Sequence, residues 1–301
     1  MLRLGVDLGG TKIEIVALDD NSCELTRRRV PTPQGDYAAT VQAVGGLVKA
    51  VESALGRLGS VGVGIPGAES ARSGRIKNAN STCLIDQPLR SDLQTVLQRE
   101  VRIANDANCF ALSEAIDGAG QGAEVVFGVI LGTGVGGGIV VHQRVLSGAN
   151  RIAGEWGHNA LPFLEEEAWP PPVCYCGRSG CVETWLSGPG LAGDHLRNVG
   201  TNLSPEAIAS QAARGDVACE ASLARYERRL AKALAQVINL LDPQVIVLGG
   251  GLSNLHRLYA NVPRLWAPYV FSSGQITTRL LPPRYGDSSG VRGAARLWPA
   301  E

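Results

Sequence analysis

A buried strand, a glycine-rich turn and a returning strand occur twice in this chain of 301 residues. The first copy is L-G-V-D-L-G-G-T at residues 4–11, and the second is F-G-V-I-L-G-T-G at 127–134. A second pair of similar segments follows in the same order, V-G-V-G-I-P-G at 61–67 and Q-V-I-V-L-G-G-G at 244–251. Repetition of this kind predicts a duplicated α/β domain with a cleft between the two copies.

Hydrophobic periodicity predicts the elements of the first copy. We expect strands over residues 2–8, 12–18, about 23–30, 60–66 and 101–104, and helices over 36–57, near 91–99 and from about 106. A polar loop is expected at 77–90, and a glycine-rich break at 118–122. These boundaries predict a small N-terminal lobe over 1–118, completed by a C-terminal helix at about 289–301, and a large C-terminal lobe over 119–288 that carries the cysteine-rich loop.

Composition and charge exclude several classes of partner. The formal net charge is zero, and there is no long charged run, so neither nucleic acid nor a membrane is an expected partner. The N-terminus enters a strand pattern at once, without the features of a signal peptide, and no apolar run approaches bilayer length. Seven cysteines without a secretory signal suggest a cytoplasmic protein, in which Cys23, Cys83, Cys109 and Cys219 are reduced thiols.

A segment that reads G-E-W-G-H … C-Y-C-G-R-S-G-C-V-E predicts a structural zinc site formed by His158, Cys174, Cys176 and Cys181. Three thiolates and one imidazole form a closed tetrahedral ligand set that leaves no position for water or substrate. Gly177 and Gly180 allow the loop to turn tightly around an ion. The alternative is a set of buried or disulfide-bonded cysteines. Zinc here would fix Glu155 and Glu183, which flank the cluster, beside a small-molecule site.

Three glycine-rich turns can approach a ligand closely. In D-L-G-G-T-K at 7–12, backbone N–H groups and Thr11 can donate to phosphate oxygens, although Gly-Gly is also a common hairpin signal. L-G-T-G-V-G-G-G at 131–138 matches G-x-G-x-x-G, but a strand follows where a dinucleotide-binding fold needs a helix. We therefore predict a second phosphate-binding hairpin and not a nicotinamide-dependent oxidoreductase. The third turn, at 249–251, suits an adenine or ribose, or is simply a tight turn.

The segment A-N-D-A-N at 104–108 lies between a predicted strand and a predicted helix. An N-cap is the simplest explanation of Asp106 when this segment is considered alone, since Asp is a preferred capping residue. The preceding Asn105 is expected at the mouth of the cleft.

These motifs together resemble the ROK family of sugar kinases. The matching segments, in family order, are D-L-G-G-T-K, G-V-G-I-P-G, A-N-D-A-N, L-G-T-G-V-G-G-G, G-E-W-G-H-N, C-Y-C-G-R-S-G-C-V-E and V-I-V-L-G-G-G. The resemblance covers essentially the whole chain, to D-S-S-G-V-R-G-A-A at 287–295. It is strongest to bacterial fructokinase and mannokinase members, with N-acetylglucosamine kinase next. It implies the α/β actin-like ATPase fold, in which two RNase H-like halves close on ATP and sugar.

The resemblance also implies roles for individual residues. Asp106 would be the general base that takes the proton from the sugar hydroxyl, and Asp7 the carboxylate near Mg²⁺. The residues implied to bind sugar are Asn80, Asn105, Glu155, His158 and Glu183, with the second ring nitrogen of His158 on zinc. The residues implied to contact ATP are Gly9, Gly10, Thr11, Lys12, Gly132, Thr133, Gly134, Gly136, Gly137, Gly138, Gly249, Gly250 and Gly251. For Lys12, an exposed strand residue is the alternative.

The expected function is ATP-dependent phosphorylation of a hexose by a homodimer that uses Mg²⁺ and a structural Zn²⁺. D-fructose, giving fructose 6-phosphate, is the first substrate expected, and N-acetylglucosamine, mannose and glucose are the alternatives. Fructokinase-like members tend to carry tryptophan after N-A-N-S-T, where this chain has Cys83, so a wider pocket is expected. A sugar-sensing transcriptional regulator is the alternative of another class. Repressors of the family carry an N-terminal helix-turn-helix segment, and a DNA-reading surface should be basic; here the first strand is expected to start at Leu2 and the net charge is zero, so this alternative is disfavoured.

Overall fold

The computed structural model describes residues 1–165 and 168–298, with Asp287 described by its backbone alone. The chain forms two compact units. The first comprises Met1–Gly122, Gly138–Ala153 and the C-terminal segment that begins at Asp287, and the second comprises Ala123–Gly137 and Gly154–Gly286. Residues 299–301, the end of the expected C-terminal helix, lie outside the described residues.

The N-terminal part of the chain forms a sheet of five strands in the order β3-β2-β1-β4-β7. Its elements are β1 (Arg3–Leu8), β2 (Lys12–Leu18), β3 (Glu24–Pro31), α1 (Tyr37–Leu55), β4 (Ser60–Ile65), β5 (Ala68–Glu69), β6 (Ile76–Lys77), α2 (Leu89–Leu97), β7 (Val101–Asn105) and α3 (Asp106–Ile116). Strand β1 is antiparallel to β2 but parallel to β4. The sheet therefore changes from antiparallel to parallel pairing at its central strand.

A second sheet repeats this arrangement, with the order β10-β9-β8-β11-β12. The remaining elements are β8 (Val125–Leu131), β9 (Val135–Val141), β10 (Arg144–Val145), α4 (Glu183–Leu186), α5 (Gly188–Val199), α6 (Pro205–Ala213), α7 (Val217–Leu241), β11 (Val245–Gly249), α8 (Arg257–Trp266), β12 (Arg279–Leu281) and α9 (Ser289–Ala295). In both sheets the earliest strand is central, the next two lie on one side, and two later strands lie on the other. The predicted duplication is confirmed. Among the described helices, none is both long and apolar enough to cross a bilayer.

Local capping explains the bounds of α1. The side chain of Asp36 accepts a hydrogen bond from the Ala39 N–H at 2.9 Å, and Gly56 ends the helix in the left-handed conformation, with φ of 66°. The helix is therefore slightly shorter than the predicted 36–57. Part of the predicted loop at 77–90 is regular, because it contains a 3₁₀ turn at Thr82–Leu84 and the beginning of α2.

Helix α9 packs closely against the first sheet and α3. A Cβ atom at Gly5 of β1 would lie 2.5 Å from the backbone nitrogen of Ala295, and one at Gly62 of β4 would lie 1.9 Å from the Ala294 carbonyl oxygen. On the helix itself, a Cβ at Gly293 would lie 1.6 Å from the carbonyl oxygen of Cys109 in α3. Only glycine fits at these contacts, so they fix the position of α9.

Replacement of Gly293 by alanine is expected to destabilise the protein by about 3 kcal/mol or more, because the new methyl group overlaps the backbone of α3. The matched control is Gly290→Ala in the same helix, where a Cβ would meet no atom within 4 Å. That variant should be neutral or slightly stabilised, because alanine is the better helix former. Urea or thermal unfolding measures both variants, and equal midpoints would contradict the packing described for α9.

Candidate active site and metal centre

A cavity of about 460 Å³ in the first unit is lined by several predicted site residues. Asp7 reaches it from β1, and Asp106 from the first position of α3. Gly9, Gly10 and Asn80 also line the cavity. The fold thus brings together residues from three separate segments of the chain, two carboxylates among them.

The other two residues of the first glycine turn have structural contacts. The carbonyl oxygen of Thr11 accepts a hydrogen bond from the Thr32 N–H at 3.0 Å. Lys12 is half exposed, and its Nζ lies 3.5 Å from Oε2 of Glu14. Neither is among the residues that line the cavity. Their predicted ATP contacts stay predictions, and the backbone here is that of a hairpin, with the Gly9 N–H bonded to the Lys12 carbonyl at 3.0 Å.

The electrostatics of the cavity favour a cation. The pKa of Asp7 is raised to about 6, first by burial and then by the negative charges of Asp106 and Glu14, while Lys12 opposes the shift. An ionised Asp7 is therefore costly in the ligand-free protein. A divalent cation would relieve this cost, and oxygen ligands of this kind suit Mg²⁺.

Asn105, and not Asp106, is the N-cap of α3. Its side-chain oxygen accepts a hydrogen bond from the Ala107 N–H at 2.9 Å, and its Nδ2 donates to the Gly67 carbonyl at 3.1 Å. Asp106 follows as the first helical residue, and its Oδ1 also lies 2.8 Å from the Ala107 nitrogen. The capping explanation thus applies mainly to Asn105, whose side chain already has two partners within the fold.

Helix α3 is held against its neighbours through glycines. A Cβ at Gly138 of β9 would lie 2.5 Å from the Ala107 carbonyl oxygen, and one at Gly64 of β4 would lie 3.3 Å from Sγ of Cys109. Cys109 is fully buried, and burial, followed by the charges of Asp7 and Asp106, raises the pKa of its thiol. This thiol is therefore a packing group and not a nucleophile.

In the second unit, the turn at 131–138 positions Glu183, the first residue of α4. Oε2 of Glu183 accepts a hydrogen bond from the Val135 N–H at 2.9 Å. A Cβ at Gly134 would lie only 2.7 Å from the same oxygen. Glycine at position 134 therefore leaves room for the side chain of Glu183, a residue predicted to bind sugar. The sequence predicted instead that Gly134 contacts phosphate.

Other glycines of the predicted ATP set also have packing roles. The Gly136 carbonyl accepts a hydrogen bond from Nε1 of Trp156 at 3.0 Å, and a Cβ at Gly137 would lie 2.8 Å from Cδ1 of the same indole. Gly250 has φ of 78°, and a Cβ there would lie 2.5 Å from the Leu131 carbonyl oxygen. Gly249 ends β11, where it pairs with Ile130.

A second cavity, of about 410 Å³, lies within the second unit. Three residues predicted to contact ATP line it, namely Gly132, Thr133 and Gly251. Gly188 and Pro189 at the start of α5 form another part of the wall. The predicted contacts of Gly132, Thr133 and Gly251 with ATP stay predictions.

The four predicted metal ligands form one cluster. Nδ1 of His158 lies 3.5 Å from Sγ of Cys174, the Sγ atoms of Cys176 and Cys181 are 3.6 Å apart, and all four ligand atoms lie within 4.8 Å of one another. A tetrahedral zinc with Zn–S bonds of about 2.3 Å requires sulfur atoms about 3.8 Å apart. The donor set and its dimensions therefore fit a structural zinc ion.

The local backbone explains why this loop can surround an ion. The Cys174 N–H donates to the Arg178 carbonyl at 2.7 Å, and Gly177 and Gly180 have φ of 87° and 75°. Hydrogen bonds from the backbone and side chain of Arg178 lower the pKa of the Cys176 thiol. One thiolate is thus favoured before any metal binds.

His158 lies at the end of the 3₁₀ turn Trp156–His158, directly after Glu155. Its Nδ1 faces the cysteines, while its Nε2 lies 3.0 Å from the hydroxyl of Tyr175. If one ring nitrogen of His158 binds zinc and the other binds sugar, as predicted, Nδ1 is the zinc ligand. Nε2, the nitrogen predicted to contact sugar, is bonded in this structure to the Tyr175 hydroxyl from the cysteine-rich loop.

Sequence reasoning missed the loop between β3 and α1. Thr32, Pro33, Gln34 and Gly35 all line the first cavity, and Oγ1 of Thr32 donates to the Gly9 carbonyl at 2.7 Å. The only local signal was a T-P-Q-G turn, which is common at strand ends. Cys83, where the sequence departs from fructokinase-like members, also lines this cavity.

The metal centre predicts that purified protein contains about one zinc ion per chain. Cys176→Ser should lower the zinc content and the unfolding temperature, because much of the binding free energy of structural zinc acts as folding energy. Cys23→Ser is the control, since Cys23 is also an exposed thiol but lies outside the cluster. Elemental analysis and thermal unfolding provide the measurements. Zinc-free wild-type protein, or equal zinc in the two variants, would contradict the assignment.

Comparison with known proteins places the chain in a family. Residues 3–301 match the sequence profile of the ROK family. An N-acetyl-D-glucosamine kinase from Yersinia pseudotuberculosis is 41% identical over 302 residues, which cover 99% of each chain.

Two solved structures agree with this result. A ROK hexokinase from Thermus thermophilus has a TM-score of 0.86 and 31% identity, covering 98% of this chain and 97% of that one. A ROK family glucokinase from Streptomyces griseus, in complex with glucose and AMPPNP, has a TM-score of 0.78 and 26% identity over 99% of both chains. The predicted actin-like ATPase fold is confirmed, and the chain belongs to the ROK family of sugar kinases.

Proposed function

We propose that this kinase transfers the γ-phosphoryl group of ATP to N-acetyl-D-glucosamine. The observation that supports this sugar is the 41% identity, over 99% of the chain, to a relative named as N-acetyl-D-glucosamine kinase. The motifs alone favour D-fructose, with N-acetylglucosamine as an alternative. The name of the relative favours N-acetylglucosamine, so D-fructose becomes the second candidate.

The cavity beside Asp106 is compatible with a substituted sugar. Cys83 lines it together with Asn80 and Thr82, at the place where fructokinase-like members tend to carry tryptophan. A cysteine occupies much less volume than an indole, so the cavity has more room for a sugar substituent. Changes in an apolar wall are worth about 1–3 kcal/mol of discrimination, which is enough to change the preferred hexose without changing the reaction.

Asp106 is the proposed general base. It would accept the proton of the sugar hydroxyl as that oxygen attacks the γ-phosphorus, a role that a positioned carboxylate can perform. Its place in the first turn of α3 stabilises its negative charge through the helix dipole. The hydrogen bonds of Asn105 fix the turn before it, so we assign Asn105 a positioning role in addition to its predicted sugar contact.

The remaining groups align and neutralise the reactants, which is the main requirement of phosphoryl transfer. Asp7 would hold Mg²⁺, which when bound supplies positive charge to the phosphate oxygens. Glu155 and Glu183 can accept hydrogen bonds from sugar hydroxyls. His158 can join them if its Nε2 exchanges the Tyr175 hydroxyl for one from the sugar. Homodimer formation stays a prediction from the family resemblance.

A steady-state assay of ADP release with ATP, Mg²⁺ and a hexose panel tests the proposal. The expected kcat/KM for N-acetyl-D-glucosamine exceeds those for glucose, mannose and D-fructose by about tenfold or more, within the range that pocket contacts supply. The highest value for D-fructose would contradict the proposed sugar and leave the kinase assignment intact. No ADP release with any hexose would contradict the reaction itself and favour a sugar-sensing role.

A further inference from the structure

A cavity of about 560 Å³ in the first unit shares no lining residue with the cavity that holds Asp7 and Asp106. Leu112 and Ile116, near the C-terminal end of α3, form an apolar wall. The rest is formed by Arg102 of β7, by the turn between β9 and β10 together with β10 itself, and by the segment after α9. A volume of this size lies within the range of small-molecule sites, about 300–1,000 Å³.

The charged side chains that line this cavity are all basic. Arg102, Arg144 and Arg296 line it together with His142, and its described lining includes no carboxylate. Glu100 is the acid near Arg102, but its Oε1 lies 4.0 Å from Nε of Arg102 and its side chain is 67% exposed. This contact therefore neutralises Arg102 only weakly.

Arg296 adds a further cation to the lining of this cavity. Its Nη2 donates to Oδ2 of Asp117 at 3.0 Å, and the same oxygen accepts a hydrogen bond from Nη2 of Arg292 at 3.0 Å. Nε of Arg296 is buried without a hydrogen-bond partner among the described residues, so one of its donors is unused within the described part of the chain.

Arg102 is held in place before any ligand binds. Its guanidinium stacks 4.0 Å from the ring centre of Trp298 and donates from Nη1 to the Leu297 carbonyl at 2.8 Å. Nε1 of Trp298 donates to the Val61 carbonyl at 2.8 Å, which anchors the indole to β4. A cation and an aromatic ring thus form one fixed wall.

Arg144 supplies another cation to the lining of the cavity. It follows a turn in which His142 and Gln143 have φ of 47° and 59°, and its side chain is exposed. Within the described part of the chain, no hydrogen bond or ion pair involves its guanidinium. It is therefore available to an incoming anion.

We propose that this cavity binds a small organic phosphate, namely a phosphate monoester carried on a ring. Guanidinium groups recognise phosphate through paired N–H donors and are less strongly hydrated than ammonium groups. Arg102 and Arg144 would contact the phosphate, and the buried Arg296 would add long-range attraction. The ring would lie against Leu112, Ile116 and Trp298. A sugar phosphate and a nucleoside monophosphate share this chemistry.

Calorimetric titration of the full chain tests the site with three probes: N-acetylglucosamine 6-phosphate, AMP and phenyl phosphate. The titrations contain saturating N-acetyl-D-glucosamine, AMPPNP and Mg²⁺, so that active-site binding is suppressed. We expect saturable binding of at least one probe at about one per chain, weakened about fivefold or more by Arg144→Gln through loss of a charge-assisted contact. Arg214→Gln, which removes an exposed arginine of the second unit, should leave the affinity unchanged.

The ranking of the probes identifies the source of the phosphate. Tightest binding of the sugar phosphate indicates a site for the kinase product, and tightest binding of AMP indicates a nucleotide site. Equal affinities indicate recognition of phosphate and ring alone. No saturable binding, or equal affinity in wild type and Arg144→Gln, would overturn the proposal. Residual binding at the active site does not affect this conclusion, because it should not respond to Arg144.

Discussion

The close approach of α3 to its neighbours is the constraint on which the candidate active site depends. The helix begins with Asp106 and is contacted at three glycines, Gly64 of β4, Gly138 of β9 and Gly293 of α9. A Cβ atom at Gly138 or Gly293 would overlap the backbone of α3, and one at Gly64 would lie in tight contact with the Cys109 side chain, so the absence of Cβ atoms lets the backbones approach closely. The position of Asp106, the proposed general base, is thus set largely by packing along the helix that carries it.

In the second unit, a glycine turn and the loop that carries the predicted metal ligands lie beside Glu155 and Glu183, the predicted sugar-binding carboxylates. The Val135 N–H donates a hydrogen bond to the Glu183 carboxylate, and Gly134, which has no side chain, leaves room for that carboxylate. The cluster of His158 with the three cysteines ties the segment after Glu155 to the segment before Glu183. A bound zinc ion would therefore stabilise two predicted sugar-binding carboxylates without taking part in the chemistry.

The sequence predicted those features that depend on local patterns. Alternating apolar residues and glycine turns located the strands around Asp7, and the spacing of Cys174, Cys176 and Cys181 identified the metal loop. Roles that depend on distant partners were not predictable. Gly134 was assigned to phosphate because its contact, Glu183, lies far along the chain. Likewise, nothing local in the turn after β3 indicated that Thr32 lines the same cavity as Asp106.

The adjacent Asn105 and Asp106 show a second limit of the sequence. Both residue types are good helix caps. Their order in the chain therefore could not show which of the two is the N-cap of α3. In the structure Asn105 is the N-cap, and its side chain makes two hydrogen bonds; the catalytic role of Asp106 stays a proposal. The shape of the cavity around Cys83, on which the proposed sugar preference rests, is likewise not encoded in a motif.

The most direct measurement compares kcat and the sugar dissociation constant for Asp106→Asn. Amide replacement removes the proton acceptor but keeps the size of the side chain. Because a general base contributes about 10²–10⁴-fold, kcat should fall by at least a hundredfold, while calorimetric sugar affinity and the unfolding temperature stay close to wild type. A fall of less than tenfold in a normally folded variant would contradict the assignment of Asp106 as the base.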